Sequence, residues 1–133
     1  MSTDIEGLTT VNLPEASAVP DTDRKLPATR RILKADGVDM ISFTFSPDQV
    51  LGDHSAPYPI TVQCLNGEVD FSVEGTTLRM EAGMLLHLEE GIPHHVQATP
   101  EATEPATILV SLLTGERGGT VNQVVTGGNP VSA

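Results

Sequence analysis

Six side chains carry most of the chemistry open to this sequence: His54, His87, His94 and His95, the single cysteine Cys64 and the single tyrosine Tyr58. Neutral imidazole binds transition metals and exchanges protons near neutral pH. His94 and His95 are adjacent, so on a strand they point to opposite faces. If His94 faces an interior, His95 faces the surface or an interface. His87 lies among apolar residues in MLLHL (84–88), where register alone decides its face. Cys64 shares the two-residue period of Ile60 and Val62. A buried free thiol acts as a small hydrophobe unless a cation or base lies beside it. Tyr58 stands between Pro57 and Pro59, which stiffen that segment. Glu89 and Glu90 precede His94 and read as a solvated turn.

The elements that must position these groups read as strands. Ile41, Phe43 and Phe45 alternate with Ser42 and Thr44, the period of a half-buried strand. ITVQCL (60–65) and EVDFSV (68–73) flank Asn66-Gly67, a strong signal for a two-residue type I′ hairpin. Glu74-Gly75 turns into TTLRM (76–80), and Glu81-Ala82-Gly83 turns into MLLHL. HHVQA (94–98), ATILVSLL (106–113) and RRILKA (30–35) bring the count to about eight strands, with turn signals every 8–12 residues. No long segment has a helical period. The pattern predicts an all-β antiparallel barrel.

The ends differ from this middle. Residues 1–28 hold Pro14, Pro20 and Pro27 and show no sustained period, which predicts an irregular N-terminal arm. Residues 29–114 are expected to form the barrel. Residues 115–133 are rich in glycine and read as a tail, or as an edge strand over Val121–Val125.

Charge and cysteine count narrow the partners. Seven Lys and Arg against eighteen Asp and Glu give a net charge of −11. Such a surface repels phosphate backbones and anionic lipid, so neither nucleic acid nor membrane is an expected partner. No apolar run approaches the ~20 residues of a membrane-spanning helix, and the start, MSTDIE, lacks the basic and apolar regions of a leader. One cysteine excludes an intrachain disulfide and a Cys-rich zinc module. The expectation is a soluble, cytoplasmic, one-domain protein.

The stretch from Gly52 to Ala98 resembles a small single-domain cupin, an RmlC-like jelly-roll barrel. His54 fits the first histidine of the first cupin motif and Gly67 its closing glycine. Gly83, Gly91 and His94 fit the second motif. Other positions depart from the pattern. Asp48 stands at the opening glycine, Ala56 at the second histidine, Ile60 at the glutamate and Glu89 at the proline of the second motif. The segment His54-Ser55-Ala56-Pro57 resembles a His-x-Ala-Pro subgroup with a degenerate metal motif. The resemblance implies that Ile60 faces inward, and Cys64 with it by parity. In a complete cupin three histidines and one glutamate hold a divalent metal. Here His54 and His94 remain, with His87 a candidate third ligand.

Three functions follow as expectations. The first is a barrel that binds a small molecule in a pocket formed by Ala56, Tyr58, Ile60, Val62 and Cys64, with the two imidazoles at one side. A weakly held divalent metal (Fe, Zn, Ni, Cu or Mn) would be its only cofactor. The second is a metal-dependent oxygenase or isomerase that uses His54 and His94 as ligands. The third is a non-catalytic interaction or storage protein. A homodimer is expected in each, because single barrels leave sheet edges for a partner to cover.

Overall fold

The structure, a computed structural model, describes residues 5–115. It contains a short helix α1 (Leu13–Ala16) and nine strands. These are β1 (Ala28–Ala35), β2 (Val38–Phe45), β3 (Val50–His54), β4 (Ile60–Asn66), β5 (Glu68–Val73), β6 (Thr76–Glu81), β7 (Leu85–Leu88), β8 (His94–Ala98) and β9 (Ala106–Leu112). One sheet has the order β1-β2-β9-β4-β7 and the other β3-β8-β5-β6, with every pairing antiparallel. The two sheets face each other as a jelly roll. Their core holds Phe45, Val62, Val69, Phe71, Met80 and Ile108, each no more than 1% exposed. Parity in β4 separates buried Ile60, Val62 and Cys64 from half-buried Thr61 and exposed Gln63. Among the described residues no helix is long and apolar enough to cross a membrane.

Two details depart from the sequence reading. Among the described residues the strands number nine, because Val50–His54 pairs with β8 along the edge of its sheet. More importantly, Asn66-Gly67 is not a hairpin. β4 pairs with β7 and β9, whereas β5 pairs with β6 and β8, so at Asn66-Gly67 the chain crosses from one sheet to the other. A type I′ turn needs positive φ at both central residues, and only Gly67 (φ 72°) has it. Glu74 (φ 50°) and Gly75 (φ 80°) both do, and they join β5 to β6 across the pair Val73 and Thr76. The type I′ hairpin therefore lies one strand later than Asn-Gly suggests.

Residues 5–27 lie against the barrel. The Asn12 side chain caps α1 by accepting the Glu15 N–H at 3.1 Å. The Ala18 N–H donates to Ser42 Oγ at 2.8 Å, and Thr44 Oγ1 donates to the Ala18 carbonyl at 2.7 Å. Thr44 has then used its one hydrogen, so the 3.0 Å bond with Thr107 runs from the Thr107 hydroxyl. Gln49 donates to the Asp21 and Arg24 carbonyls and accepts from the Ser46 N–H. This cover buries Ser42 and Thr44 almost completely, although they lie on the outer face of β2. On the opposite sheet, Arg79 in β6 binds Asp70 (2.7 Å), Glu68 (3.3 Å) and Glu101 (2.6 Å), the last in the loop leading to β9. Of the C-terminal residues 115–133, only Gly115 is described, and the candidate edge strand at Val121–Val125 lies outside the described residues.

Candidate functional site

His54 ends β3 and His94 begins β8, and the two are directly paired across the strands. Their ring centroids are 4.1 Å apart in an edge-to-face arrangement. His94 is 5% exposed and stacks on Phe71, with centroids 5.3 Å apart and planes 10° apart. His54 is exposed. Each ring is tied to its own strand. His54 Nδ1 lies 2.8 Å from the Gly52 carbonyl, and His94 Nδ1 lies 3.0 Å from the Ile92 carbonyl. A carbonyl oxygen only accepts, so both Nδ1 atoms carry the hydrogen. In the neutral rings both Nε2 atoms then bear lone pairs.

These two rings line a cavity of about 140 Å³ between the sheets. Ile60, Val62, Ile108 and Val110 wall it on one side, and Phe71 and Val96 on the other. Of the five residues assigned to a pocket from sequence, Ala56, Ile60 and Val62 line it. Tyr58 and Cys64 do not: Tyr58 is half-buried outside the lining, and Cys64 is buried in the core with Sγ 3.4 Å from the Gly67 carbonyl. Burial pushes the Cys64 thiol up, and the charge of Glu68 adds to the effect, so it stays protonated at neutral pH. His87 pairs with Thr61, whereas its neighbours Leu86 and Leu88 pair with Val62 and Ile60. His87 therefore faces outward and does not join the other two histidines. His95 also lies on the outer face, with Nδ1 3.6 Å from Asp53 and Nε2 3.2 Å from the Gln97 side chain. A larger groove of about 880 Å³ runs between α1 and the Asn66-Gly67 corner, but among the described residues Glu104 is its only ionisable lining residue.

Burial lowers the His94 pKa below its ordinary 6.5, and the nearby His54 lowers it further. The unfolded chain therefore binds a proton on His94 before the folded chain does. The His94 contribution to stability is present above pH 6.5 and lost as pH falls below it, through the folded value. Denaturant unfolding at pH 7.5 and pH 5 is expected to show a smaller pH loss in His94→Phe than in wild type. Equal losses would remove His94 from the pH dependence.

The donor set does not fit a resident metal. Catalytic zinc sites use three protein ligands and structural ones four. Here the remaining walls are hydrocarbon, with Ala56 and Ile60 where the resemblance places polar ligands. Among the described residues no group of three or more His, Cys, Asp or Glu converges.

Sequence reasoning did not assign Ile41, Phe43, Leu51, Phe71, Val96, Ile108, Val110 or Leu112 to the pocket, and all of them line the cavity. Strand period gave a signal for Ile41 and Phe43, which share one face of β2 with Phe45. Nothing local marked Leu51, because β3 was not read as a strand.

The comparisons with known proteins agree with this architecture. The family model described as a cupin domain matches residues 41–112. No curated protein matches the chain. A conserved protein of unknown function from Streptococcus pyogenes is 23% identical, with 87% of this chain and 97% of that one covered and a TM-score of 0.65. A protein with a double-stranded β-helix domain from Klebsiella pneumoniae is 19% identical over 82% of this chain and 92% of that one, with a TM-score of 0.68. A cupin 2 conserved barrel domain protein from Leptotrichia buccalis is 25% identical over 77% and 47%, with a TM-score of 0.65.

Proposed function

The chain belongs to the cupin domain family, and we propose that its barrel binds a small, largely apolar molecule between its two sheets. One observation carries this reading: among the described residues, the 140 Å³ cavity is walled by hydrocarbon side chains except at His54 and His94. A cavity near 150 Å³ takes a molecule of roughly benzene size. Apolar walls with a few placed polar groups are the general form of a small-molecule site. Single-ring probes such as toluene and phenol are expected to raise the melting temperature with concentration, as mass action requires. No rise with any ring probe up to about 10 mM would overturn the reading, since that concentration covers weak binding.

A second reading, a metal-dependent oxygenase or isomerase, draws on the two Nε2 atoms, which have no hydrogen-bond partner among the described residues. Protein purified without added metal is expected to carry well under one ion per chain, because two imidazoles compete poorly with water for a divalent ion. One tightly held ion per chain would favour the metal reading instead. For assembly we infer a homodimer. The arm exposes Ile5, Leu8, Val11, Val19 and Leu26, an apolar set suited to a second copy. Sedimentation of the same samples at micromolar concentration giving only monomer would count against it. The third reading, interaction or storage, predicts that no small molecule protects the chain from heat.

A further inference from the structure

We infer that the occupant of the cavity is a hydrogen-bond donor: a neutral, hydroxyl-bearing molecule of roughly benzene size, such as a phenol, and not a carboxylate or ketone. This rests on the small-molecule reading of the cavity and narrows it. Gly52 O and Ile92 O can only accept, which places the hydrogens on His54 Nδ1 and His94 Nδ1. Neither Nε2 has a hydrogen-bond partner among the described residues. With Nδ1 held to the backbone, Nε2 is the nitrogen left to meet an occupant.

Among the described residues the lining side chains thus offer two acceptors and no donor. Every other lining side chain is hydrocarbon, with no hydroxyl, amide or cation among them. A carboxylate or carbonyl placed there would meet lone pairs with lone pairs and keep its own acceptors unsatisfied, which opposes binding. An O–H group instead gains an acceptor, and the ring behind it meets Ile60, Val62, Phe71 and Ile108. The rings stand 4.1 Å apart on paired strands and both line the cavity, so the two imidazoles sit at one end of the same space. Phe71 stacks on His94 and restrains its tilt, which keeps that acceptor oriented before a ligand arrives.

The test is calorimetric titration with phenol, toluene and benzoate at pH 8, where ordinary imidazole is neutral. Wild type is expected to bind phenol about tenfold or more tightly than toluene, and benzoate not measurably, as a site built around a hydrogen bond discriminates against the analogue lacking it. His54→Leu and His94→Leu are each expected to shrink or reverse the phenol preference while toluene still binds. The exposed His54 position keeps a folded variant in hand should His94→Leu fail to fold. Toluene bound as tightly as phenol in wild type, or benzoate bound tightly, would overturn the donor assignment and leave the cavity reading standing. If none of the three probes binds, the cavity reading fails and this inference fails with it.

Discussion

Replacing Gly67 by alanine is expected to destabilise the barrel by about 2–5 kcal/mol, combining the cost of left-handed backbone with that of overpacking. Gly67 has φ 72°, and a Cβ there would sit 2.7 Å from Ala106 Cβ and 2.8 Å from Ala106 Cα. Backbone blocks it, so a side-chain rotation cannot relieve the contact. Ala106 pairs with Phe45, which is fully buried, so moving Ala106 disturbs the core. Gly75 is the control. It has φ 80°, but an added Cβ meets nothing within 4 Å. Gly75→Ala is expected to cost only the backbone part, roughly 1–2 kcal/mol. Denaturant unfolding of both variants measures the difference. Equal losses would show that the close approach of Gly67 to β9 does not constrain the fold.

Ala56→Leu is expected to abolish binding of ring probes, weakening it by about a hundredfold or more, while leaving stability unchanged or slightly raised. Ala56 borders the cavity, and three added carbons would occupy space that a benzene-sized ligand needs. Filling a cavity with hydrocarbon commonly stabilises by about 0.5–2 kcal/mol when no strain follows. The Ala56 carbonyl accepts the Gly91 N–H at 2.8 Å, which holds the backbone through the change. Ser55→Leu, one residue earlier and outside the lining, is the comparison and should bind as wild type does. Titration with toluene, alongside melting curves, reads both effects. Unimpaired binding in Ala56→Leu would place the bound probe elsewhere on the protein.

Legibility in the sequence followed the physics of each segment. Strands with one buried face show their period, so β2 and β4 were readable from Ile41–Phe45 and Ile60–Cys64. β3 was not, because Gly52, Asp53 and the exposed His54 give no alternation. It is an edge strand whose pairing with β8 breaks register between Leu51 and His54. Asn66-Gly67 misled because local turn preference carries no information about which sheet each flanking strand joins. Ser42 and Thr44 looked half-exposed because the burying contact comes from Ala18, remote in sequence. For the site, motif spacing singled out His54 and His94. Their direct pairing, the Nδ1 bonds that settle their tautomers and the outward face of His87 all depend on register between strands, which sequence alone leaves open.

Arg79 gives the molecule a part that answers to ionic strength. Its guanidinium gathers carboxylates from β5 and from the loop before β9 on a chain with a large surplus of acid. Glu101, at 63% exposure, is the outermost of them, and an exposed ion pair of this kind weakens as concentrated salt shortens the Debye length to about 3 Å near 1 M. Concentrated salt therefore slackens the tether that leads the chain into β9. The register of β9 beyond it is held by Ile108 in the core and by the fit of Ala106 against Gly67, neither of which ions can screen. The same strand is thus moored softly at its entrance and rigidly along its length.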